Sequence, residues 1–321
     1  MRFSWEKQYR RCCSDLTRKK CSESAKWYMP LTIKRKEPRK NLVYTIAFDA
    51  PNSESYRFLG KMLASSLLRT FFTGDIMVFR NSPAPLFLVE RKGLEEVYLE
   101  TPPLHGQERA EWAWGWKYKV AELIDPEPYD KVLFLDCDSL ALRNIDHLLE
   151  GTWDIRYQPE RGKAMSGKSF NAFLTEEEMD PAAKRDGANS GTLAVRAEIF
   201  HDVVKKWAQI DESNPLRPSG FRDQASWNKL LLTCGAEGGE VGGGGLSGGG
   251  SALGGWRTEP FPGGEVQFPC YLDPHYANYS KAAITHNVAA NTKEKVEFTF
   301  GLYMRTFFCD PTGVFFSMLE M

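Results

Sequence analysis

A mostly parallel α/β sheet with helices on both faces, forming one domain behind an N-terminal tail, is the fold class this sequence predicts. Three observations lead there. Strand-length apolar runs alternate along the chain with stretches of helical spacing, the order of a sheet crossed by helices. The run Val132 to Leu135 is apolar at every position, as in a strand buried on both faces. That run stops abruptly at Asp136 and Asp138, on the carboxyl end of a strand, where open α/β sheets place their ligands.

Taken in order, residues 41–49 hold Leu42-Val43-Tyr44-Thr45-Ile46-Ala47-Phe48, a β-branched and aromatic first strand ending in Asp49. Tyr56 to Phe72 sets Leu59, Met62, Leu63, Ser66 and Leu67 at helical spacing. Residues 75–80 read as a second strand, and residues 86–90 and 97–99 as short additional pieces. Trp116 to Ile124 reads as a helix that ends before Pro126. The strand bearing the acid pair follows. Residues 156–188 are polar and show no period, so an irregular loop over the site is expected there. Asn189 to Val195 is a further strand, with helices expected from Ala197 to Trp207 and from Arg222 to Leu232. Residues 235–255 hold 12 of the 27 glycines and read as a flexible loop or insertion. Residues 271–291 and 296–308 close the domain as strand-like and aromatic pieces.

The resulting division is a basic arm over residues 1–40 and an α/β domain over 41–321. At 321 residues, 42% hydrophobic and 26% charged, the chain has ample apolar content for a core and the balance of a soluble enzyme. Its formal net charge of −1 argues against a whole-chain polyanion binder, so nucleic acid is not an expected partner. Lys and Arg are concentrated in the arm, which reads as a solvated tail or as a weak contact with acidic lipid headgroups or RNA. No apolar run reaches the roughly 18–20 residues of a membrane span, and the basic N-terminus lacks the apolar stretch of a secretory signal. Seven cysteines, none in C-x-x-C spacing, indicate neither a disulfide framework nor a zinc site. The expected compartment is therefore the cytoplasm, with the inner membrane face as the surface the arm would touch.

Asp136 and Asp138 carry the chemistry. On an extended strand, side chains two apart share one side. Two hard carboxylate donors on one side suit Mg2+ or Mn2+ with a diphosphate completing the shell. An acidic turn without metal is the competing reading.

The wider segment Tyr129 to Leu149 resembles the metal-binding D-x-D strand of nucleotide-sugar glycosyltransferases of the GT-A fold. Its style is that of the retaining family 8 enzymes, the glycogenin and bacterial galactosyltransferase type. There a YDKVLYLDxDxL strand leads into nxdxL, as Asn144-Ile145-Asp146-His147-Leu148-Leu149 does here. The resemblance implies a UDP-sugar donor, Mn2+ or Mg2+, and transfer to a glycan, lipid or protein hydroxyl, with retention. It also implies roles for particular residues. Ala47, Asp49 and Tyr56 match the A-x-D…Y segment that holds uridine; a capping Asp49 and a core Tyr56 are the alternative. Lys117, ahead of Lys119, matches the basic residue that reaches the donor. Asn189-Ser190-Gly191 matches the N-[SA]-G segment lining the sugar pocket, with Asn189 and Gly191 its contacts. Asp223 and Gln224 match the D-Q pair near the anomeric carbon, Gln224 on the donor's β face and Asp223 at sugar hydroxyls or the acceptor. His286 matches the third metal ligand, opening an H-x-x-G-x-x-K segment. From that segment the chain departs: Ala289 replaces the glycine and Thr292 the lysine, which leaves Lys293 or Lys295 to meet the diphosphate. Two other functions fit the sheet and the acids: a nucleotidyltransferase forming NDP-sugars, and a catalytically silent nucleotide-sugar or RNA-binding module.

Overall fold

The computed structural model describes residues 39–49, 53–101, 115–213, 222–235, 255–268, 282–287 and 292–308. The basic arm up to residue 38 and nearly all of the Gly-rich stretch lie outside the described residues.

The chain is an α/β domain built on a seven-stranded sheet of order β3-β2-β1-β4-β7-β6-β8. Its strands are β1 (Lys40–Ala47), β2 (Asp75–Arg80), β3 (Leu94–Tyr98), β4 (Tyr129–Leu135), β6 (Ile155–Ala164), β7 (Asp186–Arg196) and β8 (Thr258–Pro260). The β3-β2-β1-β4 half is parallel, β7 runs antiparallel to both β4 and β6, and β8 is parallel to β6. A small sheet of order β5-β10-β9 joins β5 (Ser139–Ala141), β10 (Ile284–His286) and β9 (Val266–Gln267).

Side-chain alternation on the central strands feeds two cores. Tyr44, Val132, Phe134, Leu193 and Val195 point to one face; Val43, Ala47, Leu133, Leu135 and Ala194 point to the other. The first face is covered by helix α2 (residues 115–121), helix α4 (Phe200–Glu212) and helix α5 (Arg222–Gly235), which bring Tyr118, Trp207 and Trp227. The second face receives Leu63, Ala64 and Leu67 from helix α1 (Ser55–Arg69). Gly60 lets α1 lie close on β1, because a Cβ there would sit 2.6 Å from the Ala47 Cβ. Helices on both faces and a mostly parallel sheet are therefore as the sequence predicts.

Three local expectations are corrected. Residues 156–188 are not one irregular loop, since they contain most of β6 and helix α3 (Glu176–Ala183). Pro159 and two register shifts against β7 break the alternation that would mark β6 as a strand. Helix α3 carried a legible start, a capping box between Thr175 and Glu178. Residues 296–307 belong not to strands but to helix α6 (Thr292–Phe307). Aromatic and β-branched content suggested a strand there, yet Thr299, Leu302 and Tyr303 are buried at helical spacing and tertiary packing overrides propensity. Residues 86–90 form no strand.

Candidate metal centre

The acid pair sits just beyond β4, in a turn rather than on extended strand. The Ser139 amide donates to the Asp136 carbonyl at 2.9 Å, closing the turn that starts β5. The two carboxylates therefore converge because the chain bends back, not because strand side chains alternate. The neighbouring strand tip braces the turn, with the Asp136 amide donating to the Gly191 carbonyl at 2.8 Å.

Registration of the small sheet delivers the third group. Strand β10 runs antiparallel to β5 with His286 opposite Ser139, and the Asn287 amide donates to the Asp138 carbonyl at 2.9 Å. His286 Nε2 thereby stands 3.2 Å from Asp138 Oδ1 and 3.4 Å from Asp136 Oδ2. Asp136, Asp138 and His286 offer ligand atoms within 4.8 Å of one another and form a cluster able to hold a metal ion. Two carboxylates and an imidazole are a donor set for a borderline-hard divalent cation. Gly191 closes the cradle, because a Cβ there would lie 2.2 Å from His286 Cε1 and 2.3 Å from Asp136 Oδ2. The residues present fit a divalent ion.

Cations of the chain itself surround the acids. Lys117, on α2, lies 3.1 Å from Asp136 Oδ1 and 2.8 Å from Asp223 Oδ2. Lys295, on α6, reaches Asp138 Oδ2 at 2.6 Å. Burial disfavours the Asp138 carboxylate, but the charges of Lys295 and His286 outweigh it and hold the group well below the usual range. Asp136 is likewise lowered: burial opposes ionisation, and the Lys117 charge and the His286 hydrogen bond prevail. For His286, burial favours the neutral ring, yet the Asp138 charge and bonds to both carboxylates push it up to about 9. The same contest raises Lys117, where burial is overcome by Asp136 and Asp223. Solvent reaches the group chiefly at Asp136 and Lys295, whose side chains are 28% and 23% exposed, against 4% for Asp138.

The remaining residues named from the sequence fall as follows. Asp223 and Gln224 begin α5, both buried, and the Ser190 hydroxyl donates to Asp223 Oδ2 at 2.7 Å. Asn189 donates to Gln224 Oε1 at 3.0 Å, and its own Oδ1 accepts the Gly191 amide at 2.7 Å. Asp136, Asp138, His286, Lys117, Asn189, Gly191, Asp223 and Gln224 thus form one connected polar network. The indole of Trp207 donates to the Ser226 hydroxyl at 2.9 Å and fixes the start of α5, while Tyr118 anchors α2 through Asp211 at 2.9 Å.

Ala47, Asp49, Tyr56 and Lys293 have other surroundings. Asp49 Oδ1 accepts the amides of Tyr56 and Arg57 at 2.8 and 3.0 Å, so this carboxylate caps α1 from the preceding loop. Ala47 is buried beneath Gly60 at the end of β1, and the half-buried Tyr56 packs against the cluster that holds Leu59, Cys137 and Leu140, near enough to Lys295 to act on its charge. Lys293 points outward, 83% exposed and 3.8 Å from Glu297, whereas Lys295 reaches the acids. One turn of α6 carries both, and the helix face selects between them.

Sequence reasoning missed the contribution of β6. Glu160 accepts from Asn189 at 2.9 Å, and Gln158, the register partner of Asn189, is buried with its amide unpartnered among the described residues. The only signal was Glu160 near a proline in a segment with no period. No family model matches this chain, and no curated protein does.

Proposed function

We propose that this chain is a metal-dependent glycosyltransferase that moves a sugar from a nucleotide-diphosphate donor, UDP-linked, to a hydroxyl acceptor with retention. The observation that carries this reading is the meeting of the Asp136-Asp138-His286 cluster with Asp223 through the ammonium of Lys117, and with Gln224 through Asn189 beside Gly191. A metal site alone has many uses. A metal site joined to a buried amide and carboxylate set suits a ligand with a charged diphosphate and a hydroxyl-rich ring. The parallel half-sheet and the position of the acids at the end of β4 are compatible with the GT-A fold.

In this reading Asp136, Asp138 and His286 hold Mn2+ or Mg2+, which supplies Lewis-acid neutralisation of the departing diphosphate. Lys295, partly exposed beside Asp138, offers the diphosphate a fixed positive charge. Asn189 and Gln224 orient the sugar through their amides. Asp223, buried and held by Ser190 and Lys117, would accept hydrogen bonds from hydroxyls of the sugar or the acceptor. Gly191 leaves open the space beside His286, Asp136 and Asn189 that a side chain would fill. The cytoplasm is the compartment the reading carries, and the acceptor is a glycan, lipid or protein.

The test is hydrolysis of UDP-sugars by purified protein with and without Mn2+, beside the Asp138→Asn variant. UDP release that needs Mn2+ and is lost in the variant is the expected result. Release of pyrophosphate from UTP and a sugar 1-phosphate would make the protein a nucleotidyltransferase, and Mn2+-dependent UDP binding without turnover would make it a binding module.

A further inference from the structure

Lys117 has a position that donor binding does not explain. Its side chain is 12% exposed, and its ammonium is ringed by oxygens. Asp223 Oδ2 stands at 2.8 Å, Asp136 Oδ1 at 3.1 Å and Oδ2 at 3.3 Å, with the Ser190 hydroxyl at 3.3 Å and the Ser190 carbonyl at 3.4 Å. The Phe134 ring lies below, 5.3 Å from the nitrogen. An ammonium has few donors to spare after such a shell. Its contacts join three elements: the turn after β4, the tip of β7 and the start of α5.

We infer that the Lys117 ammonium is a built-in monovalent cation, lodged in an oxygen cradle and holding Asp136 and Asp223 at the spacing the site uses. Lys117 is therefore a positioning residue, and the cradle is a cation site of ammonium or K+ size that the chain fills for itself. This goes beyond the role of phosphate contact, which falls instead to Lys295. It rests on the proposed function only in calling the positioned groups a reaction site; the cradle shares Asp136 with the metal cluster and is therefore tested with the divalent ion removed.

The physical consequence is specific. Truncating Lys117 strips the buried Asp223 of its cation and leaves Asp136 with His286 alone, a destabilising arrangement. A small cation from solution then has a preformed shell to enter. Binding to the folded state alone raises the melting temperature in a saturable way.

The experiment uses chelator-treated full-length protein and its melting temperature in ammonium, potassium or tetramethylammonium chloride at equal ionic strength. Lys117→Ala is expected to melt below wild type and to regain roughly 2–4 °C in ammonium or potassium over tetramethylammonium. Wild type should show no such preference, and Lys117→Ala combined with Asp223→Asn should lose it. Equal melting of Lys117→Ala in all three salts would overturn the inference. If Lys117→Ala does not fold, wild type still decides. Reductive methylation read by peptide mass spectrometry should leave Lys117 unmodified while Lys293 is dimethylated, and comparable labelling of both would overturn the cradle. A Mn2+ titration of wild type in parallel tests the divalent site alone, so the two ideas fail separately.

Discussion

With no ion bound, burial favours the neutral His286 ring but the Asp138 carboxylate beside it outweighs burial and favours the charged form, a contest that a lone histidine in a core would lack. With its value at about 9 in the folded chain against 6.5 for a free ring, its stabilising effect is complete below about pH 6.5. It disappears as pH rises through 9. The lowered carboxylates act in the opposite sense, stabilising above their ordinary range near 3.8 and losing that as pH falls. Chelator-treated protein should thus be most stable between about pH 4 and 6.5 and lose roughly 3 kcal/mol by pH 9–10. In His286→Gln the alkaline decline should flatten; an unchanged slope would place the titration elsewhere. Gly191 gives a second prediction at this scale. Gly191→Ala pushes a methyl against His286 and Asp136, so Mn2+ affinity should drop roughly 10–100-fold with the circular dichroism spectrum retained. Full Mn2+ affinity in that variant would mean that the cradle relaxes. Most of these residues were legible from the chain: the acid pair, His286 and the Asp223-Gln224 pair stand in a readable order. Lys295 was readable only as one of two candidates, because choosing between Lys293 and Lys295 needs the rotation of α6.

Elements decide which side chains meet. Helix α1 packs on β1 through a glycine, and the contact is close enough to be tested. Gly60→Ala puts its Cβ 2.6 Å from that of Ala47 and should destabilise by about 1–3 kcal/mol in urea unfolding. Adding Ala47→Gly should recover part of the loss; strictly additive effects would show that the two positions do not touch. The α1 cap has the same logic, for its carboxylate comes from Asp49 in the loop before the helix. Asp49, a candidate ligand contact, thus also positions an element. Strong periodicity made α1, β1, β2, β4 and β7 readable. Helix α6 was misread because its aromatics favour a strand until a partner surface selects the helical spacing. Strand β6 was hidden by Pro159 and by its bulges.

At the scale of the molecule, residues far apart in sequence meet at one point between the large and small sheets. His286 reaches Asp138 because β10 pairs with β5 in a single register, and Lys295 follows on the next helix. A divalent ion at this junction binds only when both parts are folded, so it stabilises the whole. Mn2+ at 100 times its dissociation constant should add about 2.7 kcal/mol to stability and raise the melting temperature, with chelator reversing the effect. Asp138→Asn should abolish that rise, and a persistent rise would place the ion at another site.

Sequence alone determined the α/β class, the buried central strand and the two acids at its end, since apolar runs and their abrupt termination are local properties of the chain. It also named His286, Asp223 and Gln224 as candidates. Only the tertiary structure decided that the acids meet through a turn, that Lys117 ties Asp136 to Asp223, that Lys295 faces the site and that Asp49 caps a helix. Those outcomes depend on register, helix rotation and loop path, which arise when distant segments pack and leave no trace in the order of residues.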